Sequence, residues 1–259
     1  MKANSYVKVS SWQEAYRLMK ESPRNKILGG GLWLKKGNVE VDKLIDLSRL
    51  GLNKIEDKGE FINIGALVTL RQLEKSDLIK SIGGGVISEA VSKIIGPAFR
   101  NSATVGGTVY GKLGFSDLLT ALLLFKVNVV FYPAAEIPLE DFLKTPGFYD
   151  GVLTHITIKK CDAKAFFKKV TYTSLDYPVV NVGVRKCEKY RIVVGSRPAV
   201  AAIAEKASAY LNEGGNDFAK AAEMAVEELK FSDTVTAKAE YKKELARVYI
   251  LRGLEEVSK

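Results

Sequence analysis

The residues best suited to chemistry are glycines, and the chemistry they suit is anion binding. Gly29-Gly30-Gly31 follows the short apolar run Lys26-Ile27-Leu28, and Gly106-Gly107 lies inside Ala103-Thr104-Val105-Gly106-Gly107-Thr108. Glycine lets the main chain take positive φ and lets a ligand approach it closely. Successive N–H groups in such a turn form an anion-binding concavity. A helix starting just after the turn adds its positive end. A diphosphate fits that description. Taken singly, each cluster also reads as a plain tight turn. Neither has the GxGxxG spacing of a dinucleotide fingerprint or the GK[ST] of a P-loop. A third cluster, Gly83-Gly84-Gly85, has no strand before it and reads as a connector between two helices.

Other chemistries are thinly supplied. Cys161 and Cys187 offer neither a CxxC pair nor cluster-ligand spacing, so no iron–sulfur centre is expected on this chain. A disulfide is not expected in a protein read as cytoplasmic. The single histidine, His155, sits among strand-like residues and reads as structural, and no metal site is expected. The net charge of +9 admits nucleic acid, an anionic cofactor or an acidic partner. The lysines, however, are scattered among glutamates on helix-like segments, the pattern of a solvated surface. No apolar run reaches the ~18–20 residues of a membrane span. The longest candidate, 118–131, is broken by Lys126 and Asn128. The opening MKANSYVKVSSW has no apolar stretch of the signal-peptide kind.

These residues must be held by an alternation of helices and strands. Ser11-Trp12-Gln13-Glu14 has the form of a capping box and predicts a helix to about Lys20. Strands are predicted at 26–28 and 44–47, with a short helix starting at Leu32. Phe61-Ile62-Asn63-Ile64-Gly65 alternates with the period of a half-buried strand. Helices are predicted at 69–75 and 87–95, the second ended by Gly96-Pro97. The Gly-, Ser- and Thr-rich stretch 99–114 reads as a loop. A helix at 117–124 and strands at 127–132 and 152–158 follow. The last section reads as strands at 166–170, 179–185 and 190–194, then helices at 200–211, 218–229 and 237–254.

The glycine segments also carry a resemblance. Arg100-Asn101-Ser102-Ala103-Thr104-Val105-Gly106-Gly107-Thr108, with Ser116-Asp117 and an apolar helix after it, resembles the RN-x-AT-[VI]-GG-N and SD pattern of one flavoprotein family. That family is the FAD-binding medium subunit of molybdenum hydroxylases of the xanthine dehydrogenase and carbon monoxide dehydrogenase type. Residues 27–34 are similar to its LLAGGTDLL segment. Leu44-Ile45-Asp46-Leu47-Ser48, Ile64-Gly65-Ala66, Asp176-Tyr177-Pro178 and Glu240-Tyr241 through Arg252 are similar to its IDLS, IGA, DYP and YR…RA segments. The resemblance covers nearly the whole chain. It implies an α+β protein: a two-lobed FAD-binding fold followed by a C-terminal α+β domain of three strands and helices. The lobes would be a small α/β lobe, 1–52, and a mixed α+β lobe, 53–158, with the C-terminal domain at 159–259.

The resemblance further implies FAD as cofactor. It places Leu28, Gly29, Gly30, Gly31, Leu32 and Trp33, then Ala103, Thr104, Gly106, Gly107 and Thr108, and finally Ser116, Asp117 and Lys168, in the cofactor site. It implies a molybdopterin-binding large subunit and a 2Fe-2S small subunit as partners, with NAD or another acceptor receiving electrons. No residue is expected to act as an acid–base catalyst. Three positions depart from the pattern. Leu32-Trp33 stands for Thr-Asp, Thr108 for an asparagine, and Tyr172-Thr173 for a two-arginine step. Each lost polar contact costs ~0.5–1.5 kcal/mol. Trp33 either stacks on a cofactor ring or belongs to the core. Asp117 either accepts from cofactor hydroxyls or stabilises a helix N-terminus. Lys168 is either a cation beside the flavin or a solvated strand lysine.

Three functions therefore compete: a flavin redox subunit, a flavin-poor scaffold subunit of the same fold, and a basic nucleic-acid-binding module. The last rests on charge alone, without a nucleic-acid motif or interleaved aromatic residues.

Overall fold

The capping box does start a helix. In the computed structural model, which describes Met1–Lys259, Trp12–Glu21 is helical, and Ser11 Oγ accepts from the Glu14 N–H at 3.2 Å. The Glu14 carboxylate accepts in return from the N–H of Ser10, one residue outside the expected partner. The chain forms two compact units, each discontinuous in sequence. The first gathers Met1–Leu73, Pro97–Gly111 and Val127–Lys159; the second gathers Glu74–Gly96, Lys112–Lys126 and Lys160–Lys259.

The first unit holds two sheets. Strands β1 (Lys2–Lys8), β2 (Lys26–Leu28) and β3 (Glu40–Asp46) form a parallel sheet in the order β1-β3-β2. Strands β4 (Ile55–Lys58), β5 (Phe61–Gly65), β6 (Val127–Tyr132), β7 (Ala135–Pro138) and β8 (Val152–Lys159) form an antiparallel sheet in the order β4-β5-β8-β6-β7. Along β6, burial alternates residue by residue, as the pleat of a strand with one buried face requires. β1 was not predicted. It is an exposed edge strand with little apolar content, held by its ladder to β3 and by a hydrogen bond from Tyr6 to Asp46.

The second unit is built on one antiparallel sheet. Strands β9 (Lys164–Val170), β10 (Val180–Lys186), β11 (Tyr190–Gly195) and β12 (Ala202–Ile203) run in the order β12-β11-β10-β9. β10 is buried on both faces. Its Val180, Val182 and Val184 join Ile250 and Leu254 of the helix Ala239–Ser258 in one core. Gly253 keeps that helix close: a Cβ there would lie 2.7 Å from Phe166 and Val184 side-chain atoms. The odd residues Asn181, Gly183 and Arg185 point to the opposite face, where Gly183 lies against Leu124.

Two local expectations are corrected. The stretch 99–114 is not a plain loop, because Pro97–Ser102 and Val105–Gly111 are short helices. Their Gly and Ser content masks them, while anchoring to the 66–70 segment compensates. The helix expected at 200–211 begins only at Glu205, and Ala202–Ile203 instead pairs with β11 as a fourth strand. The connector reading of Gly83-Gly84-Gly85 agrees with a tight turn in which all three glycines have positive φ, 52°, 65° and 83°.

Candidate functional site: a glycine-lined cleft

The first unit brings the two glycine segments together. β2 ends at Leu28, and Gly31, with φ 70°, caps the helix Leu32–Lys36. The second segment is held by main-chain bonds. Leu70 N donates to Ala103 O, Val105 N to Val68 O, and Gly106 N to Ala66 O, each at 2.8 Å. Two of the glycines are required by packing. A Cβ on Gly30 would fall on the carbonyl oxygen of Ser102, and one on Gly106 would lie 2.7 Å from Ala66. The two segments then meet directly: a Cβ on Gly29 would lie 3.0 Å from Thr104 Oγ1 and 3.5 Å from Gly107 Cα.

Hydrogen bonding divides the labour. Gly106, Gly107 and Thr108 spend their N–H groups inside the protein, on Ala66 O, Thr104 Oγ1 and Thr104 O. Gly29, Gly30 and Gly31 do not, since none of their N–H groups has an acceptor in the chain. Three successive free donors at the start of a helix make a concavity for an anion. Thr104 caps the helix Val105–Gly111 by accepting from Gly107 N at 3.2 Å, and its own hydroxyl proton stays available. Thr104→Ala should therefore cost about 1 kcal/mol of stability, read as a lower urea midpoint; Thr104→Ser should recover most of it.

Between the segments lies an open cleft of about 440 Å³, counting the solvent at its mouth. Ile27, Leu28, Leu47, Tyr110 and Leu153 line it together with Gly29, Gly106 and Gly107, and no lining residue is charged. Tyr110 is fixed by donating to Tyr149 O at 2.8 Å, and burial raises its phenol pKa. Phe148 stacks on its ring at 5.6 Å and is itself 78% exposed. A dinucleotide cofactor needs donors for a diphosphate and apolar walls for rings. Both are present here, so the residues fit FAD.

Residues 2–160 match the sequence profile of the FAD binding domain in molybdopterin dehydrogenase, and residues 165–257 match that of the CO dehydrogenase flavoprotein C-terminal domain. The chain belongs to this flavoprotein family. It is an FAD-binding component of dehydrogenase-type oxidoreductases. Among its relatives is the glyceraldehyde dehydrogenase medium chain of Sulfolobus acidocaldarius, 26% identical over 70% of this chain and 68% of that one. Another is the 6-hydroxypseudooxynicotine dehydrogenase complex subunit alpha of Paenarthrobacter nicotinovorans, 27% identical over 96% and 92% of the two chains. The fold matches a chain of the carbon monoxide dehydrogenase of Hydrogenophaga pseudoflava, with TM-score 0.90, 20% identity and coverage of 99% and 98%. For some other curated relatives the chain spans only about half of their length. No helix is long and apolar enough to cross a membrane.

The family's remaining positions are placed as follows. Trp33 is not core: it is 41% exposed, with Lys36 Nζ 4.8 Å from its ring centre. Thr108 donates back to Thr104 O at 2.9 Å, closing a helical turn. Ser116 caps the helix Asp117–Leu122 by accepting from Leu119 N. Asp117 accepts from Asn181 Nδ2 at 2.9 Å and pairs with Lys169 Nζ at 3.3 Å. The two ionic side chains are 4% and 5% exposed. Burial pushes the Asp117 carboxyl up, while the Lys169 ammonium and the Asn181 amide favour its ionised form.

The lysine beside Asp117 is Lys169, the strand neighbour of Lys168. Lys169 sits opposite Asn181 in the β9–β10 ladder, and Lys168 opposite Val182. The pleat sends these neighbours to opposite faces. Lys168 is thereby directed to the helix Ala239–Ser258, 5.4 Å from the Tyr249 ring. Strand parity was the available signal, but parity does not say which face meets Asp117. Tyr110 and Gly151 of the cleft carried no signal in the sequence.

Proposed function

We propose that the FAD-binding subunit described here passes electrons from a partner 2Fe-2S subunit to NAD or another acceptor. They would originate at a molybdopterin-binding large subunit. The free N–H groups of Gly29, Gly30 and Gly31 carry this reading, because they ask for an anionic ligand within residues 2–160, the span that matches an FAD binding domain. In this reading they donate to the diphosphate and Thr104 adds its hydroxyl. Gly106 and Gly107 keep the second wall low enough for close approach, and Leu28 and Leu32 flank the loop. Bound FAD supplies the capacity to take electrons singly and release them as a pair. Ala103 positions the second segment through its carbonyl bond to Leu70. Ser116, Asp117 and Lys168 are assigned to the folding of the second unit.

The test is a visible spectrum of the purified chain followed by titration with FAD. A flavin spectrum, with FAD released on denaturation, supports the assignment. A folded, colourless protein that ignores added FAD overturns it and leaves a scaffold subunit. Trp33 provides a local readout. If it stacks on a cofactor ring, FAD quenches its fluorescence, and Trp33→Ala weakens binding roughly 2- to 10-fold, the worth of one aromatic contact. Unchanged affinity in Trp33→Ala removes it from the site.

A further inference from the structure

The second unit joins two cysteines that are far apart in sequence. Cys161 precedes β9 and Cys187 follows β10 directly. The antiparallel register runs Arg185 opposite Ala165 and Lys186 opposite Lys164, so the two chain ends approach each other at the same edge of the ladder. There burial, and the Cys187 thiol beside it, push the Cys161 thiol pKa up. Arg185, on the last turn of pleat before Cys187, donates from Nη1 to Cys161 Sγ at 3.7 Å and from Nη2 to Lys189 O at 3.4 Å. Its Nε is buried without a partner. Both cysteines are reduced and half-buried, so small oxidants reach them. Nothing in the flavin site uses this cluster.

We infer that Cys161 and Cys187 form a redox site that closes to an intramolecular disulfide on exposure to hydrogen peroxide. Spacing in the sequence argues against a pair; the hairpin of β9 and β10 creates one. The Cys161 thiolate attacks one peroxide oxygen. The O–O bond breaks, a sulfur–oxygen bond forms, and hydroxide leaves and takes a proton as water. The Cys187 sulfur then attacks Cys161 sulfur. The sulfur–oxygen bond breaks, the disulfide forms, and the second hydroxide leaves as water with the Cys187 proton. The two sulfurs together lose two electrons, and one peroxide is reduced to two waters. The Arg185 guanidinium favours the Cys161 thiolate, while burial raises the thiol pKa more strongly. Closure therefore speeds up as the pH rises, because the thiolate is the nucleophile.

The test uses the full chain, reduced, freed of reductant and treated with hydrogen peroxide. Remaining thiols are then alkylated and the intact mass and non-reduced peptides are measured. The expected result is a monomer lighter by two hydrogens, with neither cysteine alkylated and the peptides of Cys161 and Cys187 joined. Reduction restores both thiols. In Cys161→Ser, Cys187 instead remains alkylatable or gains oxygen. Full alkylation of both cysteines in treated wild type, independent gain of oxygen at each, or disulfides only between chains would overturn the inference.

Discussion

Gly30→Ala is expected to give a chain that no longer holds FAD. The added methyl would fall on the Ser102 carbonyl oxygen and lie 3.1 Å from Ala103 Cα. Those are main-chain atoms, and the Ala103 carbonyl is already held by Leu70 N at 2.8 Å. The second segment cannot yield, so the Gly29–Gly31 turn must move away and take its three free donors with it. Overpacking of this kind costs about 1–3 kcal/mol, and more where backbone is involved. Lost donor geometry adds about 1.5–3 kcal/mol for hydrogen bonds to a charged group. Affinity should fall by about 100-fold or more, since 1.4 kcal/mol is about a factor of ten. Titration of flavin absorbance measures it. Gly96→Ala is the control, because a Cβ there meets nothing within 4 Å. Wild-type affinity in Gly30→Ala would show that this turn does not present the ligand's donors.

The largest stability effect is expected from Asp117→Ala. The substitution leaves the Lys169 ammonium buried, with Lys93 O at 3.0 Å as its remaining bond. It also strips Asn181 Nδ2 of its acceptor. Removing one partner of a buried pair costs about 3–5 kcal/mol. For a chain of this size that lowers Tm by roughly 6–15 °C. Asp117→Asn keeps an acceptor and should lose less. The double variant Asp117→Leu with Lys169→Met should recover much of the loss, because apolar replacement of a buried pair is often neutral. Thermal unfolding without added FAD isolates this from any ligand effect. A loss below about 1 kcal/mol would mean that the pair is solvated and that Asp117 is free to serve a ligand.

Much of the fold was legible because local chemistry and packing agree where elements are regular. The strand Phe61–Gly65 falls where its alternation predicts, and Val127–Tyr132 where its β-branched residues do. The helix after Ser11 begins at its cap. The polar strand β1 and the glycine-containing helix Val105–Gly111 escaped, because both owe their form to partners distant in sequence: β3 for one, Ala66 and Val68 for the other.

The sequence by itself determined the family and therefore FAD, since fixed-order glycines, Arg100-Asn101 and Ser116-Asp117 survive as a pattern along the chain. It also determined that the glycine segments suit an anion. Only the tertiary structure decided how the glycines divide. Gly29 to Gly31 keep free donors, while Gly106 makes room for Ala66 and spends its N–H there. It likewise decided that Asp117 faces Lys169 rather than Lys168, and that the β9–β10 register brings the segments of Cys161 and Cys187 to one end of the ladder. The physical reason is common to all three. A residue's type fixes which bonds it can make, but pleat parity, ladder register and close backbone approach select the partner, and these arise only when distant segments pack.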